Sequence, residues 1–192
     1  MNKLIKRCDW CLGYAEHIKY HDEEWGVPLY DDHKHFEFLV LEAAQAGLSW
    51  LTVLKKRENY RKAFDQFDPQ KVARYTEARK AKLLNNPGII RNQLKIESAI
   101  HNAKLFLDVQ KKYGSFTDYF WDFVNGKPVV NKWKSIKQVP PRTVLSDTVS
   151  KDLKQKGFKF VGSTVIYAHL QAAGLVNDHL VTCFRYKEVK NN

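Results

Sequence analysis

Three cysteines and seven histidines are the residues of this 192-residue chain best suited to hold a metal. Structural zinc takes four N/S ligands in a tetrahedron, often as two local pairs. His179 and Cys183 are four apart, so a helix would put both on one face. Near the other end, Cys8 with Cys11, His17 with His21, or a long-range Cys8 with His21 would each supply a second pair, and spacing does not choose among them. A metal shared by the two ends would anchor both. The bland alternative is that Cys11 and Cys183 are small buried hydrophobes.

A second group is aromatic. Trp10, Tyr14, Tyr20, Trp25 and Trp50 crowd the first fifty residues around Glu42, which sits in a strongly apolar stretch where a carboxylate is costly without a partner. Stacked Trp and Tyr faces suit a flat π-system, and a nearby carboxylate favours a cationic one. A third candidate is the turn Pro87-Gly88-Ile89-Ile90, whose amides, with Arg91 and Lys95, form an expected phosphate site at Gly88, Arg91 and Lys95.

These residues need elements to place them. Apolar recurrence at three and four, without convincing strand alternation, predicts an all-α fold. Helices are expected at about 34–46, stopped by Gly47, and at 50–64, capped by Ser49. Asp68-Pro69 opens a short one, and Thr76 caps another ending near Asn85. A long helix over about 91–112 follows, making the helix–turn–helix unit 77–112. Further helices are read at 116–124, 147–155 and 163–173. The connection from Asn125 to about Leu145 is too long to be a mere linker. One domain of two helical lobes over 1–192 is expected.

Charge is unevenly placed. The formal net charge is +11, yet the first fifty residues hold 5 Lys+Arg and 9 Asp+Glu, a balance of −4 against +15 for the rest. A basic field of that size suits a polyanion by counterion release. No apolar run predicts a membrane span or secretory signal, and three cysteines cannot all pair, so a reducing, cytoplasmic setting is expected.

Four segments carry a resemblance: 20–26 (Tyr20-His21-Asp22-Glu23-Glu24-Trp25-Gly26), 45–57 from Gln45-Ala46-Gly47-Leu48-Ser49-Trp50 to Arg57, 156–162 around Gly157-Phe158, and Gly174-Leu175-Val176-Asn177-Asp178-His179. Together, over about Arg7 to Tyr186, they resemble the DNA-3-methyladenine glycosylase I family. That resemblance implies a helix-hairpin-helix glycosylase fold with its hairpin at Pro87 to Ile90. It implies one structural zinc on Cys8, His21, His179 and Cys183, joining segments of about 7–30 and 175–186, with Cys11 and His17 as bystanders. It implies a base pocket of Trp10, Tyr20, Trp25 and Trp50 with Glu42 as catalytic residue. The implied function is flipping and hydrolytic release of 3-methyladenine from alkylated double-stranded DNA, without lyase activity, by a monomer needing no protein partner or membrane. The chain departs from the family where His17 stands in place of a frequent tyrosine and where 11–16 lacks an Asp-Pro step. A competing class is a non-enzymatic DNA-binding module. A zinc hydrolase is a third, and four protein ligands would leave it no open position.

Overall fold

The computed structural model describes residues 5–189 and is mostly helical, with long connections between some helices. The helices are α1 (Ala15–Glu23), α2 (Asp32–Gln45), α3 (Trp50–Leu54), α4 (Arg57–Ala63), α5 (Pro69–Val72), α6 (Glu77–Leu84), α7 (Gln93–Tyr113), α8 (Phe116–Asp122), α9 (Val144–Gln155), α10 (Ser163–Ala172) and α11 (Phe184–Glu188). Local signals account for most starts. Ser49, Asp68, Thr76 and Ser115 each accept from a backbone N–H two or three residues on, so each satisfies a donor that the first turn would otherwise orphan.

At the centre lies α2, whose residues from His35 to Ala44 are all buried. It packs against α7, α8 and α10, with Phe36 edge-on to Phe106 at 5.3 Å and Phe106 stacked on Phe116 at 4.2 Å. Burial on every side from His35 onward, with His35, Glu37 and Glu42 each given a polar partner, puts this helix at the centre of the packing. Its N-terminus ties down α8 as well: Asp32 accepts from the backbone amides of Phe116 and Thr117 at 2.8 and 2.9 Å and from the Thr117 hydroxyl at 2.7 Å. A smaller apolar cluster of Cys8, Tyr20, Trp25, Phe38, Leu180 and Cys183 joins the two ends of the chain.

Several expected boundaries move. The helix expected over 50–64 is two, broken at Lys55–Lys56. Beyond the break, Arg57 donates to Glu24 through both terminal nitrogens at 2.7 Å and to the buried Glu37 at 2.8 Å. The long helix starts at Gln93 with Asn92 as its cap, which leaves Arg91 in the turn. Thr143 caps α9 three residues earlier than expected, through reciprocal bonds with Ser146. The helix α1 was not anticipated from the sequence. Nor was the pair of two-residue parallel strands, β1 (Val129–Val130) and β2 (Val176–Asn177), with Val129 opposite Val176. That pairing lays the long connection of 125–145 along the C-terminal segment.

Glycine is required where this segment crosses the entry to α2. Gly174 has φ +70°, and a Cβ there would lie 2.5 Å from Pro28 N and Val27 C. Close backbone approach under a left-handed φ leaves no room for a side chain.

Candidate active site and metal centre

Cys8, His21, His179 and Cys183 are all buried, and their ligand atoms lie within 4.8 Å of one another. The route to this arrangement differs from the expected one. His179 and Cys183 do not share a helix face, because β2 is followed by an irregular turn and Cys183 is the residue before α11. The turn closes through Cys183 N–H to the Leu180 carbonyl at 2.7 Å. His21 comes from the last turn of α1, and Cys8 from the segment before it.

The donor atoms suit zinc. In a tetrahedron with Zn–S of about 2.3 Å and Zn–N of about 2.05 Å, a sulfur and a nitrogen stand about 3.6 Å apart. The separations are 3.7 Å for Cys8 Sγ to His179 Nδ1, 3.4 Å for Cys183 Sγ to His21 Nε2 and 3.6 Å for Cys183 Sγ to His179 Nδ1. Outer partners fix both rings. His179 Nε2 donates to the Trp25 carbonyl at 2.9 Å, while His21 Nδ1 lies 2.8 Å from Asp22, itself paired with Arg7 at 2.7 Å. Each histidine therefore turns its other nitrogen toward the sulfurs, the usual arrangement around a ligating imidazole. Four protein ligands close the shell, which fits a structural ion. Cys11 stands outside, its thiol 3.1 Å from the Cys8 carbonyl.

Beside this centre lies a cavity of about 330 Å³ lined by Trp10, Tyr20, Trp25, Glu42 and Trp50 from the N-terminal half. The opposite wall brings Ile136, Val139 and Pro141 from the long connection, together with Tyr167 and Gln171 from α10. The aromatic cluster therefore lines a slot and also packs against itself. Trp10 and Trp25 meet edge-on at 5.0 Å, and Tyr20 lies 5.4 Å from Trp50. Both Trp10 and Trp50 keep a buried indole N–H without a partner among the described residues.

Glu42 is 4% exposed and pairs with no Lys or Arg among the described residues. Its Oε2 lies 2.9 Å from His169 Nδ1, and burial pushes its carboxyl well above the usual carboxylate range. The sequence suggested an anion attracting a cation; the burial favours the neutral acid. Burial raises Tyr20 as well, so its hydroxyl stays protonated.

A second carboxylate, Asp178, lines the cavity and was not singled out from the sequence, although it adjoins His179 in a quoted segment. Asn131 and Trp133 donate to one of its oxygens at 2.7 Å, and Tyr167 and Gln171 donate to the other. Four donors occupy it, so it fastens the long connection to α10. His169, which touches Glu42, also escaped sequence reasoning, because a lone histidine inside a helix gives no signal.

The turn between α6 and α7 is more self-contained than expected. Gly88 N–H donates to Asn86 Oδ1 at 2.8 Å and Ile90 N–H to the Tyr60 hydroxyl at 3.1 Å, so these amides are already used. Lys95 Nζ donates to the Ala44 and Ala46 carbonyls at 2.8 and 2.6 Å, capping the end of α2. One of its three N–H donors is left over. Arg91 is exposed.

The chain matches the methyladenine glycosylase family over residues 10–186. It is 49% identical over 182 residues to DNA-3-methyladenine glycosylase 1 of Escherichia coli (strain K12), which covers 95% of this chain and 97% of that one. A crystal structure of 3-methyladenine DNA glycosylase I is similar with a TM-score of 0.90 at 50% identity, covering 93% of this chain and 98% of the other. A tyrosine-to-phenylalanine variant of a 3-methyladenine DNA glycosylase I in complex with 3-methyladenine has the same TM-score at 39% identity, covering 93% and 96%.

Proposed function

This chain belongs to the methyladenine glycosylase family, and from that premise we propose that it excises 3-methyladenine from alkylated double-stranded DNA by hydrolysis of the N-glycosidic bond. The observation that carries the reading is the slot: aromatic faces and a single unpaired carboxyl oxygen around a cavity of about 330 Å³, a recess that a base stacked in a duplex does not reach. The nucleotide must therefore flip out to enter.

Methylation at N3 makes the base a cation within the nucleotide, so its glycosidic bond is already weak and the base leaves neutral. Little acid–base assistance is needed. Tyr20 and Trp50 contact the faces of the base, Trp10 and Trp25 close the slot, and Glu42 accepts from the base edge. Water attacks the sugar. Hydrolysis without lyase activity is the reading supported by a cavity lining of aromatic and carboxyl groups, with no lysine among the described lining residues.

The helix–turn–helix at 77–112 is the proposed hairpin. Arg91 and the remaining donor of Lys95 contact phosphates beside Gly88, whose place in the tight turn a Cβ would crowd, 3.0 Å from Asn86 Oδ1 and 3.1 Å from Asn59. Cys8, His21, His179 and Cys183 would hold one zinc, which supplies a cross-link between the chain ends. No helix of the described residues is long and apolar enough to cross a membrane, and the enzyme acts as a monomer.

The test is single-turnover release of 3-methyladenine from methylated duplex DNA. The wild-type chain should release the base, and Glu42→Ala should lose about tenfold or more while keeping its fold and zinc. Duplex binding without any base release would overturn the reading in favour of a DNA-binding module.

A further inference from the structure

One oxygen of Glu42 faces the slot without a protein partner among the described residues; the other enters a buried polar chain. Oε2 lies 2.9 Å from His169 Nδ1, His169 Nε2 lies 3.0 Å from His35 Nδ1, and His35 Nε2 lies 3.3 Å from the Leu29 carbonyl. Both imidazoles are wholly buried, stacked at 5.3 Å and surrounded by Phe38, Phe116 and Phe120. The ionisable groups near them are Asp31 and Asp32 at the start of α2, with Tyr20 of α1 beside Glu42, while α8 presents aromatic rings.

The far end of this chain sets its direction. A carbonyl oxygen only accepts, so His35 Nε2 must carry a hydrogen. Burial pushes both histidines down to about 3, which keeps each ring neutral with one hydrogen. His35 Nδ1 is then an acceptor, so His169 Nε2 donates to it. His169 Nδ1 is left as an acceptor in its turn. The atom facing it at 2.9 Å must donate, and that atom is Glu42 Oε2.

We propose that the Leu29 carbonyl, His35 and His169 form a one-way hydrogen-bond chain that holds Glu42 as a neutral acid with its hydroxyl turned away from the slot, so that Oε1 is a dedicated acceptor toward the base. The proposal deepens the base-excision reading and rests on it. His35 does not line the cavity; it acts through His169 and is a positioning residue. The chemical consequence is selectivity. Adenine carries an exocyclic amine, a donor, where guanine carries a carbonyl, an acceptor. An acid free to turn would offer its hydroxyl to the carbonyl, whereas the fixed one meets it with lone pairs.

Paired variants of His35 separate this role from packing. In His35→Gln the amide oxygen accepts from His169 and the amide nitrogen donates to Leu29, the same polarity as the histidine. His35→Phe keeps bulk and removes the polarity. Release of 3-methyladenine and of 3-methylguanine is measured from one methylated duplex under single turnover, per folded molecule. His35→Gln should stay within about threefold of wild type for both bases. In His35→Phe, 3-methyladenine release should fall about tenfold, and the preference for it over 3-methylguanine should narrow about tenfold, the scale of one buried hydrogen bond to a polar group. Equal selectivity in the two variants overturns the proposal. Should His35→Phe not fold, nitrogen NMR of histidine-labelled wild-type protein decides directly. It should show His169 with hydrogen on Nε2 and a bare Nδ1, and hydrogen on Nδ1 would refute the chain. A wild-type protein that releases neither base refutes the excision reading, while the NMR outcome still judges the hydrogen-bond direction.

Discussion

Replacing Cys183 with Ala removes one of two sulfurs from a site that gathers residues 171 apart (Cys8 and His179) and 162 apart (His21 and Cys183). A cross-link closing a loop of that length removes unfolded-state entropy worth roughly 5 kcal/mol at 25 °C. The whole stability of an ordinary domain is about 5–15 kcal/mol. Each kcal/mol corresponds to about 2–4 °C in a chain of this size, so loss of the ion should lower Tm by about 10–20 °C. The assay is zinc per chain by elemental analysis alongside thermal melting, with Cys11→Ala as control, because its thiol bonds the Cys8 carbonyl outside the cluster. Cys183→Ala should lose zinc and stability together. Cys11→Ala should keep full zinc. Below the lowered Tm, base release per folded molecule should be unchanged, since the site is closed and lies beside the slot without supplying a reacting group. A Cys183→Ala protein with one zinc per chain and an unmoved Tm would refute the reasoning.

Arg91→Ala should weaken binding to all duplexes alike and reduce the salt slope of binding by about 1, with Tm unchanged; a loss confined to particular sequences would contradict a phosphate contact. Lys95→Ala should weaken duplex binding and also lower Tm, because it frees the Ala44 and Ala46 carbonyls at the end of α2. Gly174→Ala should cost more than about 3 kcal/mol in denaturant unfolding, since backbone atoms 2.5 Å from the new Cβ cannot yield as a flexible side chain would. Burial alone would raise Asp32, but donors from Gln110, Thr117 and the Phe116 and Thr117 amides outweigh it and hold its folded pKa below the ordinary value. A depressed carboxylate stabilises above its unfolded pKa and loses that contribution as pH falls through the folded one, so wild type should weaken on acidification below about pH 4. Asp32→Asn should be less stable at neutral pH and flatter across that acid range in stability measured against pH.

What the sequence determined by itself is local. Side-chain caps at Ser49, Asp68, Thr76 and Ser115 are read from neighbours two or three positions on, and the helices they open were legible for that reason. The aromatic crowding and the charge step are composition and survive any fold. Resemblance supplied the metal ligands; spacing left Cys8, Cys11, His17 and His21 open, and the expected helical face for His179 and Cys183 does not exist. Only tertiary structure decided the rest. The break at Lys55–Lys56 accompanies a buried pairing with Glu37, twenty residues from Arg57, and the amides of the 87–90 turn are used by Asn86 and Tyr60. Most of all, Glu42 is joined to His169 across 127 residues and His169 to His35 across 134. Which oxygen of Glu42 donates is settled by a backbone carbonyl at the end of that chain. A hydrogen bond has no meaning for sequence until folding brings donor and acceptor within about 3 Å, and burial then fixes which atom keeps the proton.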